Sequence, residues 1–132
     1  MISQALKSII TDNEEVMALI GSDDLVFAER GSGHQYVVIV DNGKSRVVDT
    51  IREIKQSEIQ VLISGYPVLT GEQIGGQMIE LIEKTVGQTL TSGKYSYHIM
   101  ETIVKNDPVL IEWSDMSGFS LNMTVFYREM LI

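Results

Sequence analysis

The sequence predicts an α+β fold: an antiparallel β-sheet with an N-terminal helix and a central helix packed on one face. Three observations carry this. Ile2, Leu6, Ile9 and Ile10 recur at helical spacing, and so do Ile74, Met78, Leu81 and Ile82. The stretches "EIQVLISGY" and "SLNMTVFYREM" alternate apolar and polar residues, the period of a half-buried strand. The strand candidates come in runs joined by short turn-like segments, which favours antiparallel pairing over βαβ units.

In chain order, the opening helix gives way to "TDNEEVMALIG". Asp12 is placed to cap a second short helix, with Glu15 at the capping-box position. Val16, Leu19 and Ile20 form its apolar face, and Gly21 suits a left-handed stop. "LVFAE" reads as a short strand, "RGSGHQ" as a flexible loop and "YVVIV" as a central strand. "DNG" at Asp41 to Gly43 is a turn signal. From Lys44 to Gln56 two readings stand. Its β-branched residues suggest an outgoing strand, and "REIKQSE" is polar enough for an exposed edge or loop.

Ile59, Val61 and Ile63 share one face of the next strand, which Pro67 ends. Thr70 is read as the cap of the central helix, with Gln73 three residues on. Gly87 marks its end, and Lys84 near the last turn suits the helix dipole. "TLTSGK" reads as a loop and "YSYHIMETIV" as a strand broken at Asp107-Pro108. "VLIEW" and "SLNMTVFY" flank the connection "SDMSG", a hairpin. In the last strand Leu121, Met123, Val125 and Tyr127 face the core, and Ser120, Asn122, Thr124 and Arg128 face outward.

The 132 residues are read as one domain over 1–132. With 44% hydrophobic and 21% charged residues the composition is globular rather than disordered. There is no cysteine, which excludes disulfides and thiolate chemistry. "MISQALKSII" lacks the basic start and apolar run of a signal peptide, and no stretch approaches the length that spans a bilayer. The expectation is a protein made in the cytosol, with no membrane partner. The net charge of −8 and the scattered Lys and Arg argue against a phosphate-binding surface, so duplex DNA is not expected to bind.

No motif for catalysis, metal or cofactor emerges. "GSGHQY" begins like a phosphate loop but lacks the third glycine and a following helix. His34 and His98 form no metal-binding pair and have no identifiable partner, so structural or surface roles suit them. Asp23-Asp24 and Glu14-Glu15 sit beside helix ends, as solvated carboxylates often do. Gly75 and Gly76 cost about 1 kcal/mol each relative to alanine inside a helix. They mark close packing of helix on sheet, or the approach of a neighbouring subunit. Trp113 and the methionines are assigned to the core.

Read in order, the chain resembles the tailed-phage tail completion family, small head–tail joining or tail terminator proteins. "ISQALKSIITDNEEVMALIG" resembles the family's opening helix, break and second short helix. "YVVIV" resembles its first long strand. "EIQVLISGYPVLTGEQIGGQMIELIEKTVG" resembles its strand, cap and helix, and "LNMTVFYRE" its closing strand. The resemblance implies a non-enzymatic virion protein without cofactor. It would form a homo-oligomeric ring, with six copies expected. The ring would cap the tail tube, stop its polymerisation and meet the head connector. DNA would pass through the lumen without specific binding. The protein would reside in the virion tail or neck, and in host cytoplasm during assembly. Candidate subunit or partner contacts are then Gly31, Ser32, Gly33 and His34 in the loop, Gly75 and Gly76 on the helix, and Asn122 and Thr124 on the outward strand face. Two other classes fit the composition: a dimeric acidic secretion-type chaperone, separable by its assembly state, and a small carboxylate-dependent enzyme, which needs converging carboxylates with perturbed titration.

Overall fold

The computed structural model describes residues 1–42, 46–48, 51–113 and 116–132. They form three α-helices and a seven-stranded sheet, an α+β fold. The order is α1 (Ile2–Thr11), α2 (Glu14–Ile20), β1 (Val26–Ala28), β2 (Tyr36–Asp41), β3 (Arg46–Val48), β4 (Ile51–Ser64), α3 (Val68–Glu83), β5 (Thr89–Ser92), β6 (Tyr95–Trp113) and β7 (Met116–Leu131). Across the sheet the strands run β1-β2-β4-β7-β6-β5, with β3 on β4. All pairs are antiparallel except β1 with β2, which is parallel.

The helices cover one face. Ile2, Leu6 and Ile10 of α1, Val16 and Ile20 of α2, and Ile74, Met78 and Ile82 of α3 join one core cluster. The sheet contributes Val37, Ile39, Ile59, Val61, Ile63, Leu121, Met123, Val125 and Tyr127. In β4 and β7 these are the alternate positions that the period-2 pattern assigns to the core, and each is buried. Tyr66 ties the ends of two helices together by donating its hydroxyl to the Ile20 carbonyl at 2.9 Å. Burial pushes that phenol above its ordinary range.

Several local expectations change. The second helix is capped by Asn13, whose side-chain oxygen accepts from the Val16 N–H at 2.9 Å; Asp12 closes α1 instead. Gly21 ends α2 with φ +107, as its stop role requires. The central helix begins at Val68 behind Pro67, so Thr70 lies inside it. Proline's fixed φ suits a helix start, and the Gly71 N–H donates to the Pro67 carbonyl at 2.8 Å. "TLTS" is strand β5, turned back into β6 at Gly93 with φ +60.

The Asp41–Gly43 signal is not a hairpin reversal, although Gly43 itself lies outside the described residues. The Asn42 N–H donates to the Glu58 carbonyl at 2.9 Å, continuing the β2–β4 pairing. β3 then pairs with β4 further along the same row, Arg46 opposite Gln56 after Asp41 opposite Ile59. "REIKQSE" therefore belongs to β4, a single strand of 14 residues.

The break expected at Asp107-Pro108 does not occur. β6 runs through it, and its ladder with β7 slips between Val104 and Asn106 and between Asn106 and Val109. Among the described residues no strand pairs with the other side of β6 past His98, so bulges there cost the sheet little. A third slip, between Ile99 and Glu101, turns Met100 out to solvent. The assignment of the methionines to the core thus holds for Met78 and Met123 but fails for Met1, Met100 and Met130, which are exposed. The assignment of Trp113 and part of the "SDMSG" connection lie outside the described residues.

Candidate interaction surface

Among the described residues no helix covers the second face of the sheet, and this is where the structure places Asn122 and Thr124. Strand alternation brings Phe27, Tyr36, Val38, Glu58, Gln60, Leu62, Ile103 and Asn106 to the same face, because each is a register partner of a residue on that side. Its centre is a hydrogen-bonded polar ladder. The Asn42 side-chain amide donates to Gln60 Oε1 at 2.6 Å, and Gln60 Nε2 donates to Ser120 Oγ at 3.2 Å. Asn106 Oδ1 accepts from both the backbone N–H and the side-chain amide of Asn122, at 3.1 and 3.0 Å. Asn106 Nδ2 donates to the Ser120 carbonyl at 3.2 Å. The Thr124 hydroxyl donates to Glu58 Oε2 at 2.8 Å, and Gln56 donates to the other Glu58 oxygen at 3.0 Å.

Thr124 therefore points outward, as the alternation predicts, but it is only 2% exposed. As an open surface contact it is corrected: cross-strand side chains close over it. Asn122 is half-buried and engaged with Asn106. The ladder ends in apolar ground on both sides. Phe27 and Tyr36 meet edge to face at 6.3 Å near β1, while Ile103 and Val109 are exposed on β6. Uncharged amides flanked by apolar side chains form a surface suited to a protein partner rather than to phosphate.

The loop candidates lie at one end of this face. Ser32, Gly33 and His34 are exposed. A Cβ at Gly31 would fall on the Tyr36 ring, so this glycine is needed for the loop to pack on β2. Gly33 takes φ +88 in open space. The His34 carbonyl accepts from Ser64 Oγ at 3.4 Å. On α3, Gly75 faces the core and Gly76 is exposed with no atom near its missing side chain. The pair is split between two roles that adjacency in sequence hides. The glycine that allows close helix–sheet approach is Gly71, where a Cβ would lie 2.7 Å from the Phe119 ring. Its signal was its place one turn before Gly75 on the apolar side of the helix.

The carboxylate pairs stay apart from any such geometry. Glu14 and Glu15 are exposed in the first turn of α2, and Asp23 and Asp24 in a single 3₁₀ turn. Ser57 is fully buried, donates to Asp41 Oδ2 at 3.0 Å and shares a 2.8 Å hydrogen bond with the Tyr127 hydroxyl. Neither histidine reaches it: His98 Nδ1 pairs with Thr89 Oγ1 at 3.0 Å, and His34 lies in the loop. Among the described residues no group of three or more His, Asp or Glu side chains is placed to hold a metal ion. No described helix is long and apolar enough to cross a membrane.

The fold is similar to that of a chain in the virion of a native gene transfer agent particle. That match has a TM-score of 0.64 at 14% sequence identity, and it covers 96% of this chain and 93% of that chain. No protein-family model and no curated protein matches the sequence.

Proposed function

We propose that this chain is a structural virion protein of the tailed-phage neck. It assembles as a ring, six copies in the simplest reading, that caps the tail tube, ends its polymerisation and joins it to the head connector. The observation that carries the proposal is the fold likeness to a virion chain along nearly the whole length of both. The resemblance of element order to tail completion proteins points the same way from sequence alone.

The surface chemistry supports a binding rather than a catalytic role. The polar face is built from amides and hydroxyls already paired with one another, which favours rigidity over turnover. Its apolar margins and the loop Gly31–His34 are the surfaces we assign to neighbouring copies and to the tube and connector. With a net charge of −8 the ring would repel rather than hold DNA phosphates, so a genome would slide through it.

The experiment is deletion of the gene from a producing strain, followed by electron microscopy of the lysate. The proposal expects separate filled heads and unattached tails of uncontrolled length, with joining restored by the gene in trans. Normal particles in the deletion strain would refute it.

A further inference from the structure

The outer edge of β6 changes character along its length. Tyr95 to His98 pair with β5. Ile99 extends that row, its N–H donating to the Gln88 carbonyl at 2.9 Å and its carbonyl accepting from the Gly87 N–H at 2.8 Å. Beyond Ile99 no strand pairs with this side among the described residues. The ladder fixes which backbone groups face the open edge. The Glu58 carbonyl is taken by the Asn42 N–H on the β2 side, so Glu58 turns its backbone groups away from β7. Its antiparallel partner Thr124 therefore turns toward β6, where it meets Ile103. Alternation leaves the N–H and C=O of Thr102 and Val104 pointing outward.

This open window reads "ETIVK", Glu101 to Lys105. The ladder slips on either side of it, between Ile99 and Glu101 and between Val104 and Asn106, and Pro108 follows. Bulges and proline confine edge pairing to a short stretch. Within that stretch the charges mirror one another about Ile103. Glu101 and Lys105 are exposed, and neither has a charged partner among the described residues. Ile103 between them is 43% exposed.

We propose that β6 of two copies of this chain pair antiparallel about a two-fold axis at Ile103, so that the free chain dimerises and two sheets continue as one. Laid this way, Glu101 stands opposite Lys105 of the second copy, and Lys105 opposite its Glu101. Thr102 meets Val104 in both directions, and Ile103 meets its own equivalent. The charge order selects this centre, and the backbone phase admits it. Thr102 and Val104 form hydrogen-bonded pairs, while Ile103 falls at the non-hydrogen-bonded position, where side chains approach most closely. Strand addition of this kind takes its affinity from main-chain bonds and its register from side chains. The contact is isologous, so it closes at two copies and blunts the edge against open-ended addition. It makes no ring by itself and stands apart from the neck-ring reading. Assembly state alone then no longer separates the chaperone class; the deletion phenotype does. The paired stretch is short and its ion pairs are exposed, so the dissociation constant should be on the order of 10–100 μM.

The test is sedimentation equilibrium of the free chain and its charge variants. Glu101→Lys and Lys105→Glu each set like charges opposite one another and should raise the dissociation constant about tenfold. An equimolar mixture of the two variants should form heterodimers, because each chain then supplies the charge that the other needs. The double variant should dimerise like the unaltered chain. Amide hydrogen exchange by NMR separates strand pairing from a looser contact. The Thr102 and Val104 amides should exchange more slowly as concentration rises through the dissociation constant, and Ile103, already bonded to β7, should not change. Exchange on the unaltered chain decides even if a variant folds poorly. A chain that stays monomeric at millimolar concentration would overturn the proposal. So would a dimer indifferent to both single variants, or exchange at Thr102 and Val104 that does not depend on concentration.

Discussion

The two faces of β7 are both buried, by different chemistry. On one side Leu121, Met123, Val125 and Tyr127 lie beneath the helices. On the other, Ser120 and Thr124 are almost as inaccessible, yet no described helix covers them. They are closed over by Gln60, Glu58 and Asn106 from the flanking strands. Dispersion and the hydrophobic effect hold the first face, and a connected set of hydrogen bonds holds the second. The difference teaches that a period-2 pattern reports the direction of a side chain and leaves its solvation open.

The sharpest break in the comparison is a charge placed on each face in turn. Val125→Asp buries a carboxylate beneath the helices, a penalty of several kcal/mol. Against a typical stability of about 5–15 kcal/mol, urea melts should show most of the folding free energy gone or no cooperative transition. Thr124→Asp is next. Alternation alone would put that aspartate in water at little cost, but the structure puts it against the Glu58 carboxylate. The loss should be about 2–3 kcal/mol at neutral pH, from like charges and a lost hydrogen bond. Two facing carboxylates raise each other's pKa, so the deficit relative to the unaltered protein should shrink as pH falls and one of them protonates. A deficit that stays constant with pH would remove the Glu58 contact from the account.

Thr124→Val isolates the hydrogen bond without adding charge. It should cost about 1–2 kcal/mol by chemical denaturation, because it removes a donor to a charged acceptor. On α3 the same contrast of covered and open positions is expected from glycine. Gly71→Ala forces a methyl toward Phe119 and should cost about 1–3 kcal/mol. Gly76→Ala meets no neighbour among the described residues and should stabilise the helix by up to about 1 kcal/mol in thermal melts. If Gly76→Ala is stable and yet fails to complement a deletion strain, its open side is a contact in the assembled particle.

Much of the fold was legible because its signals are local. The stripe of α1, the Gly21 stop and the faces of β4 and β7 follow from spacing alone. What sequence hid depends on partners distant in the chain. The strand β6 continues past Pro108 because, among the described residues, its outer side there has no strand to satisfy, a fact set by topology. Asn42 extends a ladder instead of turning because Glu58 lies opposite. The outward direction of Asn122 and Thr124 was legible, but the closure of that face was not, since Asn106 and Asn122 are ordinary polar residues until the bulge brings them together. The role of the chain was suggested by element order, not by any single residue.

The neck-ring proposal is tested most directly by a cryo-EM map of intact particles from a strain that produces this protein. The account predicts a closed ring between the tail tube and the head connector into which this fold docks, with density from a neighbouring subunit against the loop Gly31–His34. A map of that junction in which every ring is accounted for by other proteins would contradict it.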